Sequence, residues 1–177
     1  MKQNNIKQKI AEYFLRNPTV RLRVRQIERE LKLSLPSVIR YVKELVKDGL
    51  LKENKISEVM FYTADRSNKN FRLEKVIYNL RSLYHCGLVE FLITEYSNPS
   101  ILLFGSYSKG EDIETSDVDI YVETSSKKKV NLQKFEKTLE RKIQLFIYPH
   151  IKDVPNPQLA NNILNGISLN GQVEVIK

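Results

Sequence analysis

The chain has 177 residues, 29 of them Lys or Arg against 21 Asp or Glu, for a formal net charge of +8. Its single cysteine, Cys86, excludes an intrachain disulfide, no Cys/His cluster has the spacing of a zinc site, and no stretch approaches the ~18 consecutive apolar residues of a membrane span. The opening MKQNNIKQKI lacks the apolar core of a signal peptide, so the expectation is a soluble cytoplasmic protein with no membrane partner.

The charge is unevenly divided. Residues 1–66 hold 15 Lys+Arg against 8 Asp+Glu, and residues 67–177 hold 14 against 13. Length and charge together suggest two domains, 1–66 and 67–177. A concentrated basic block suits a polyanionic partner, because neutralising phosphates releases condensed counterions. A lysine-rich surface kept for solubility has the same composition.

In chain order, Ile6, Ile10, Tyr13 and Phe14 recur at helical spacing and stop before Asn17-Pro18, which predicts a first helix. An extended piece over 20–24 leads to a second helix through Val24, Ile27 and Leu31. After the turn KLS, the segment LPSVIRYVKELVKDG places Leu35, Val38, Val42, Leu45 and Val46 on one face, with Ser34 as N-cap and Gly49 as the C-terminal stop. LLKENKI and VMFYTA then read as two short strands. This order resembles the winged helix-turn-helix family. The third helix would present Ser37, Arg40, Lys43 and Lys47 to DNA bases and phosphates, with Glu44 an acid on the same face and Lys52 and Lys55 in the wing near flanking backbone. A module that binds protein or dimerises would show the same pattern.

ADRSNKN, residues 64–70, reads as a polar hinge. It leads into a helix with an apolar stripe of Phe71, Val76, Ile77, Leu80, Leu83 and Tyr84, which packs on the second domain or pairs with a second copy in a homodimer. A further helix, LVEFLITEYSN, stops at Asn98-Pro99. His85 suits the helix dipole at its helix end, and neither it nor His150 reads as a ligand or a base.

ILLF, residues 101–104, predicts a buried strand followed by Gly105-Ser106 and a helical turn, which presents backbone N–H groups and a hydroxyl to a phosphate. Ordinary turns use the same two residues. In DVDIYVE, strand parity buries Val118, Ile120 and Val122 and leaves Asp117 and Asp119 on the other face. Residues one repeat apart lie about 7 Å along a strand, close enough for two carboxylates to share a magnesium ion. Strand, Gly-Ser, ten residues, then Asp-apolar-Asp-apolar resembles the nucleotidyltransferase superfamily that includes DNA polymerase beta. More narrowly, GSYSKGEDIETSDVDIYVE is similar to the minimal nucleotidyltransferase proteins of prokaryotes, and PQLANNILNGISLNG to their closing helix and turn.

That resemblance implies an α+β protein whose second domain is a mixed sheet flanked by helices. Gly105 and Ser106 would hold a nucleoside triphosphate, and Asp117 and Asp119 would bind Mg2+. The activity implied is transfer of a nucleoside monophosphate to a hydroxyl; antitoxins of this superfamily modify a helical HEPN-type partner. The family pattern also has a third carboxylate on a later strand. After an amphipathic helix in NLQKFEKTLERK, that strand is IQLFIY, where Gln144 stands at the acid's position. Glutamine cannot accept a proton as a base. Glu123 lies about 13 Å from Asp119 along the strand, and Glu140 and Asp153 flank IQLFIY. The alternative is therefore a DNA-binding regulator that keeps the domain to sense nucleotide or hold a partner.

Overall fold

The structure, a computed structural model, describes residues 2–175. The chain divides into two compact units, Met1–Tyr78 and Asn79–Lys177.

The first unit begins with α1 (Lys2–Arg16), α2 (Val24–Leu31) and α3 (Leu35–Lys47) and continues into an antiparallel hairpin, β1 (Leu51–Ile56) and β2 (Val59–Ala64). Its core is built from Ile10, Phe14, Ile27, Val38, Val42, Leu45, Leu51 and Phe71. In α3 the buried residues Val38, Tyr41, Val42 and Leu45 recur at 3.6-residue spacing, while Leu35 and Val46 are only partly buried. Gly49, at φ +76°, ends this helix: Leu50 N–H donates to the Leu45 carbonyl and Gly49 N–H to that of Val46, each closing one orphan acceptor. Ser34 stands at the N-cap, but its hydroxyl donates to Ser37 Oγ at 2.7 Å and not to a helix end group. The hairpin turns on Ser57 and Glu58, both left-handed, as a two-residue turn matched to strand twist requires.

Residues 64–70 form a tight turn where the composition suggested a hinge. Asp65 N–H donates to the Leu50 carbonyl, Ser67 Oγ to Asp65 Oδ1, and Asn70 N–H to Asn68 Oδ1, which starts α4 (Lys69–His85). The compact units divide inside α4, beyond the expected boundary at residue 66, because Phe71 belongs to the first core and Leu83 to the second. The buried positions of α4 are Phe71, Lys75, Asn79 and Leu83. Ile77 and Tyr84, placed on the apolar stripe by the sequence, are exposed.

The second unit contains α5 (Leu88–Glu95), β3 (Ser100–Phe104), α6 (Gly105–Lys109), β4 (Val118–Glu123), α7 (Gln133–Leu139) and β5 (Ile143–Tyr148). A single 3-10 turn (Ile151–Asp153), α8 (Pro157–Leu164) and β6 (Ile167–Asn170) follow. The sheet order is β5-β4-β3-β6, with β4 and β5 parallel and the other pairs antiparallel, so the sheet is mixed. β6 lies in GISLNG, which had been expected only as a turn; there Gly166 admits the Leu103 carbonyl where a Cβ would clash.

Both sheet faces are covered. Ile101, Leu103, Val118, Ile120 and Val122 join Leu83, Leu88, Leu92 and Phe135 on one side, and Leu102, Phe104 and Tyr121 join Ile151, Val154 and Ile163 on the other. Tyr121 shares the parity of Asp119 and Glu123 yet is fully buried, so that face of β4 is closed in the middle and partly open at its two acidic ends.

Asn79 is also fully buried and ties the site's two supporting segments together. Its Nδ2 donates to the Tyr107 carbonyl in α6 at 2.8 Å and to Asp112 Oδ1 in the following loop at 2.7 Å. Asn79→Ala leaves both acceptors without this donor inside the protein, and the expected loss is about 2–3 kcal/mol in chemical denaturation. A loss below about 0.5 kcal/mol would remove Asn79 from this role.

Candidate functional site

The site begins where β3 ends. Phe104 is extended, and Gly105 at φ +73° turns the chain into α6. Antiparallel pairing sets Phe104 opposite Asp119, so the turn carries Gly105 against the Asp119 carboxylate. A Cβ at residue 105 would run into Asp119 Oδ2, so glycine is required by contact as well as by φ. Ser106 is half-buried in the first turn of α6, and Ser108 Oγ donates to the Gly105 carbonyl at 2.9 Å. The loop leading to the carboxylates is closed by Ser116, whose hydroxyl accepts from Ile113 N–H at 2.9 Å while its own N–H donates to the Ile113 carbonyl.

Asp117 immediately precedes β4, and Asp119 is its second residue. The Asp119 carboxyl is held above the usual carboxylate range, first by burial, which disfavours its charged form, and then by the charge of Asp117. The parallel register of β4 and β5 sets Gln144 beside Asp119, and Gln144 Nε2 donates to Asp117 Oδ2 at 3.0 Å. The glutamine, expected in place of a third acid, thus stands in register with Asp119 and bonds Asp117.

Of the other acids near IQLFIY, Glu123 and Asp153 bond elsewhere, while Glu140 borders the same cavity as Asp117. Glu123 Oε2 accepts from the Tyr121 hydroxyl and from Ile151 N–H, Asp153 Oδ2 accepts from His150 N–H, and Glu140 is the left-handed C-cap of α7. Among the described residues, no group of three or more His, Cys, Asp or Glu side chains is placed to hold a metal ion. The two aspartates nonetheless suit magnesium: both offer hard oxygen donors, and their mutual repulsion is the kind that a cation relieves. A cavity of about 460 Å³ opens beside Asp117, bordered by Thr115, Ser116, Gln133, Arg141 and Lys142.

In the first unit, Arg40, Lys43 and Lys47 lie on the exposed side of α3, and Ser37 is half-buried. Arg40 Nε meets Glu44 Oε1 at 3.0 Å. Lys7 of α1, which the sequence did not single out, meets Glu44 at 3.5 Å and Asp48 at 2.7 Å. The hydrogen bond to Asp48 is the largest influence raising the Lys7 ammonium above its ordinary value. Asn79 was also missed; its signal is a polar residue four before a buried leucine on a helical face.

Residues 85–168 match the family described as Nucleotidyltransferase domain. The match takes in Gly105, Ser106, Asp117, Asp119 and Gln144. Neither a curated protein nor a solved structure matches the chain. No helix among the described residues is long and apolar enough to cross a membrane.

A raised folded-state carboxyl contributes stability at pH values below the unfolded aspartate value, and that contribution disappears as pH rises through the folded value. Asp119→Asn is therefore expected to raise the melting temperature of the metal-free protein at pH 7 and to flatten this acid-side dependence. Melts showing lower stability at pH 7 would overturn the assignment of Asp119 as a desolvated, repelled charge.

Proposed function

We propose that the second unit binds a nucleoside triphosphate with magnesium and transfers its nucleoside monophosphate to a hydroxyl acceptor. The observation that carries this reading is Gly105 seated against Asp119, with Asp117 on the same face, in a segment of nucleotidyltransferase type. Gly105 and Ser106 would hold the triphosphate, and Asp117 and Asp119 would hold Mg2+. Magnesium, when bound, neutralises phosphate charge as the leaving group departs.

In the transfer, the acceptor oxygen bonds the α-phosphorus, the bond to pyrophosphate breaks with the electron pair going to pyrophosphate, and the acceptor proton passes to solvent water. Gln144 cannot take that proton; its amide instead orients Asp117. The cavity beside Asp117 gives the acceptor room. A hydroxyl on a HEPN-type helical protein is one acceptor this chemistry admits. Slow turnover follows from the neutral residue at position 144.

Incubation with magnesium and each labelled nucleoside triphosphate, with cellular protein and RNA as acceptors, is expected to yield label transfer that Asp117→Asn and Asp119→Asn each abolish. Gln144→Glu is expected to raise the rate at least tenfold by supplying a third carboxylate. Nucleotide binding without transfer to any acceptor, in wild type and Gln144→Glu alike, would refute the transferase reading.

A second reading, a winged helix-turn-helix regulator of DNA that senses nucleotide through the second unit, is favoured by Gln144 and by α3. Arg40, Lys43 and Lys47 are exposed there, and Glu44 has its charge offset by Lys7 and Arg40. Lys43→Ala combined with Lys47→Ala is expected to weaken binding to mixed-sequence duplex DNA and to reduce the slope of log K against log salt by about 2. An unchanged slope would remove α3 from the interface.

A further inference from the structure

We infer that the outer edge of β5 is a docking groove for an extended, acidic polypeptide segment, which joins the sheet as an added strand. β5 ends the sheet on this side, so one of its two backbone edges faces away from β4. The register shows which groups face outward. Val118 N–H donates to the Lys142 carbonyl and Thr124 N–H to that of Tyr148, at either end of the pair. In a parallel ladder, alternate residues bond the same neighbour, so the even-numbered residues of β5 serve β4. Ile143, Leu145 and Ile147 then turn their N–H and C=O outward. The Ile143 N–H is taken by Glu136 Oε1 at 3.1 Å, which leaves Leu145 and Ile147 as the open rungs.

Beside those rungs lies a cavity of about 470 Å³ with an apolar floor formed by the side chains of Leu145, Ile147, Val130 and Leu132. Its rim is a run of three lysines, 127–129. Lys128 is bound to Glu95, and its carbonyl accepts from the Tyr96 hydroxyl, which anchors the loop. Lys127 and Lys129 are exposed on either side of that anchor.

The occupant follows from these three features. Outward amide and carbonyl groups two residues apart match a strand, which alone presents both at that spacing. The apolar floor takes every second side chain, and the lysines select acids at the others. A second copy of the chain is disfavoured, since two β5 edges meeting would bring their lysine rims together. A nucleic acid would satisfy the lysines and leave the floor and the open rungs unmatched. Exposed edges of this kind are usually blunted by charge, and here the charge is gathered on one side of a groove and not spread along the strand.

The test uses the full chain and a fluorescein-labelled nine-residue peptide alternating glutamate with valine or isoleucine, followed by anisotropy. The peptide is expected to bind at least tenfold more tightly than its lysine-for-glutamate counterpart. Lys127→Glu with Lys129→Glu, both on the exposed loop, should weaken it at least tenfold. N-methylation of one alternate set of peptide amides should abolish binding, while methylation of the other set leaves it intact. Acidic and basic peptides binding alike, indifference to both methylation patterns, or displacement of the peptide by a single-stranded oligonucleotide would overturn the inference. So would sedimentation showing a dimer that the two lysine substitutions dissociate.

Discussion

The antiparallel pairing of Phe104 with Asp119 is the constraint from which the candidate site follows. It fixes where β3 ends relative to β4, and therefore where the turn into α6 crosses the carboxylates. Had the register slipped by one residue, Asp119 would have exchanged faces with a core position and the turn would have met an apolar side chain. Burial on both sides of the sheet opposes such a slip: Ile120 and Val122 need one core and Tyr121 needs the other. The hydrophobic cores thus hold a pair of like charges together at the end of a strand.

Those charges are managed by very few groups. Gln144 supplies one donor to Asp117, while Asp119 has burial and repulsion to contend with. At the far end of β4, Glu123 is satisfied by Tyr121 and Ile151. β4 therefore ends on an acid tied into the fold, while the two aspartates at its start have only the Gln144 amide beside them.

Much of this was legible in the sequence because it is periodic. The apolar spacing of α3, the alternation in DVDIYVE and the run ILLF each specify an element by the face they must bury. Asp117, Asp119 and Gly105 could be placed because strand parity and order locate them without knowledge of the packing, whereas Gln144 was singled out only through the resemblance to the nucleotidyltransferase pattern. What escaped the sequence reading lacked such a pattern. β6 is four residues with serine and asparagine among them, and pairing with β3, not its own composition, makes it a strand. The buried face of α4 includes Lys75 and Asn79, so a search for apolar spacing selects the neighbouring face. The polar turn at 64–70 looked like a linker since its side-chain hydrogen bonds, unlike its composition, appear only in three dimensions.

Asn79 gives the second unit a beginning earlier than its recognisable chemistry. The Gly-Ser turn and the paired aspartates lie between residues 105 and 119, yet the amide that joins α6 to the intervening loop stands more than twenty residues upstream on α4. A fragment cut close to the motif would retain every group that could face a ligand and discard the clamp that aligns them. The autonomous module, in the sense of a piece that arrives already shaped for its ligand, includes the last two turns of α4.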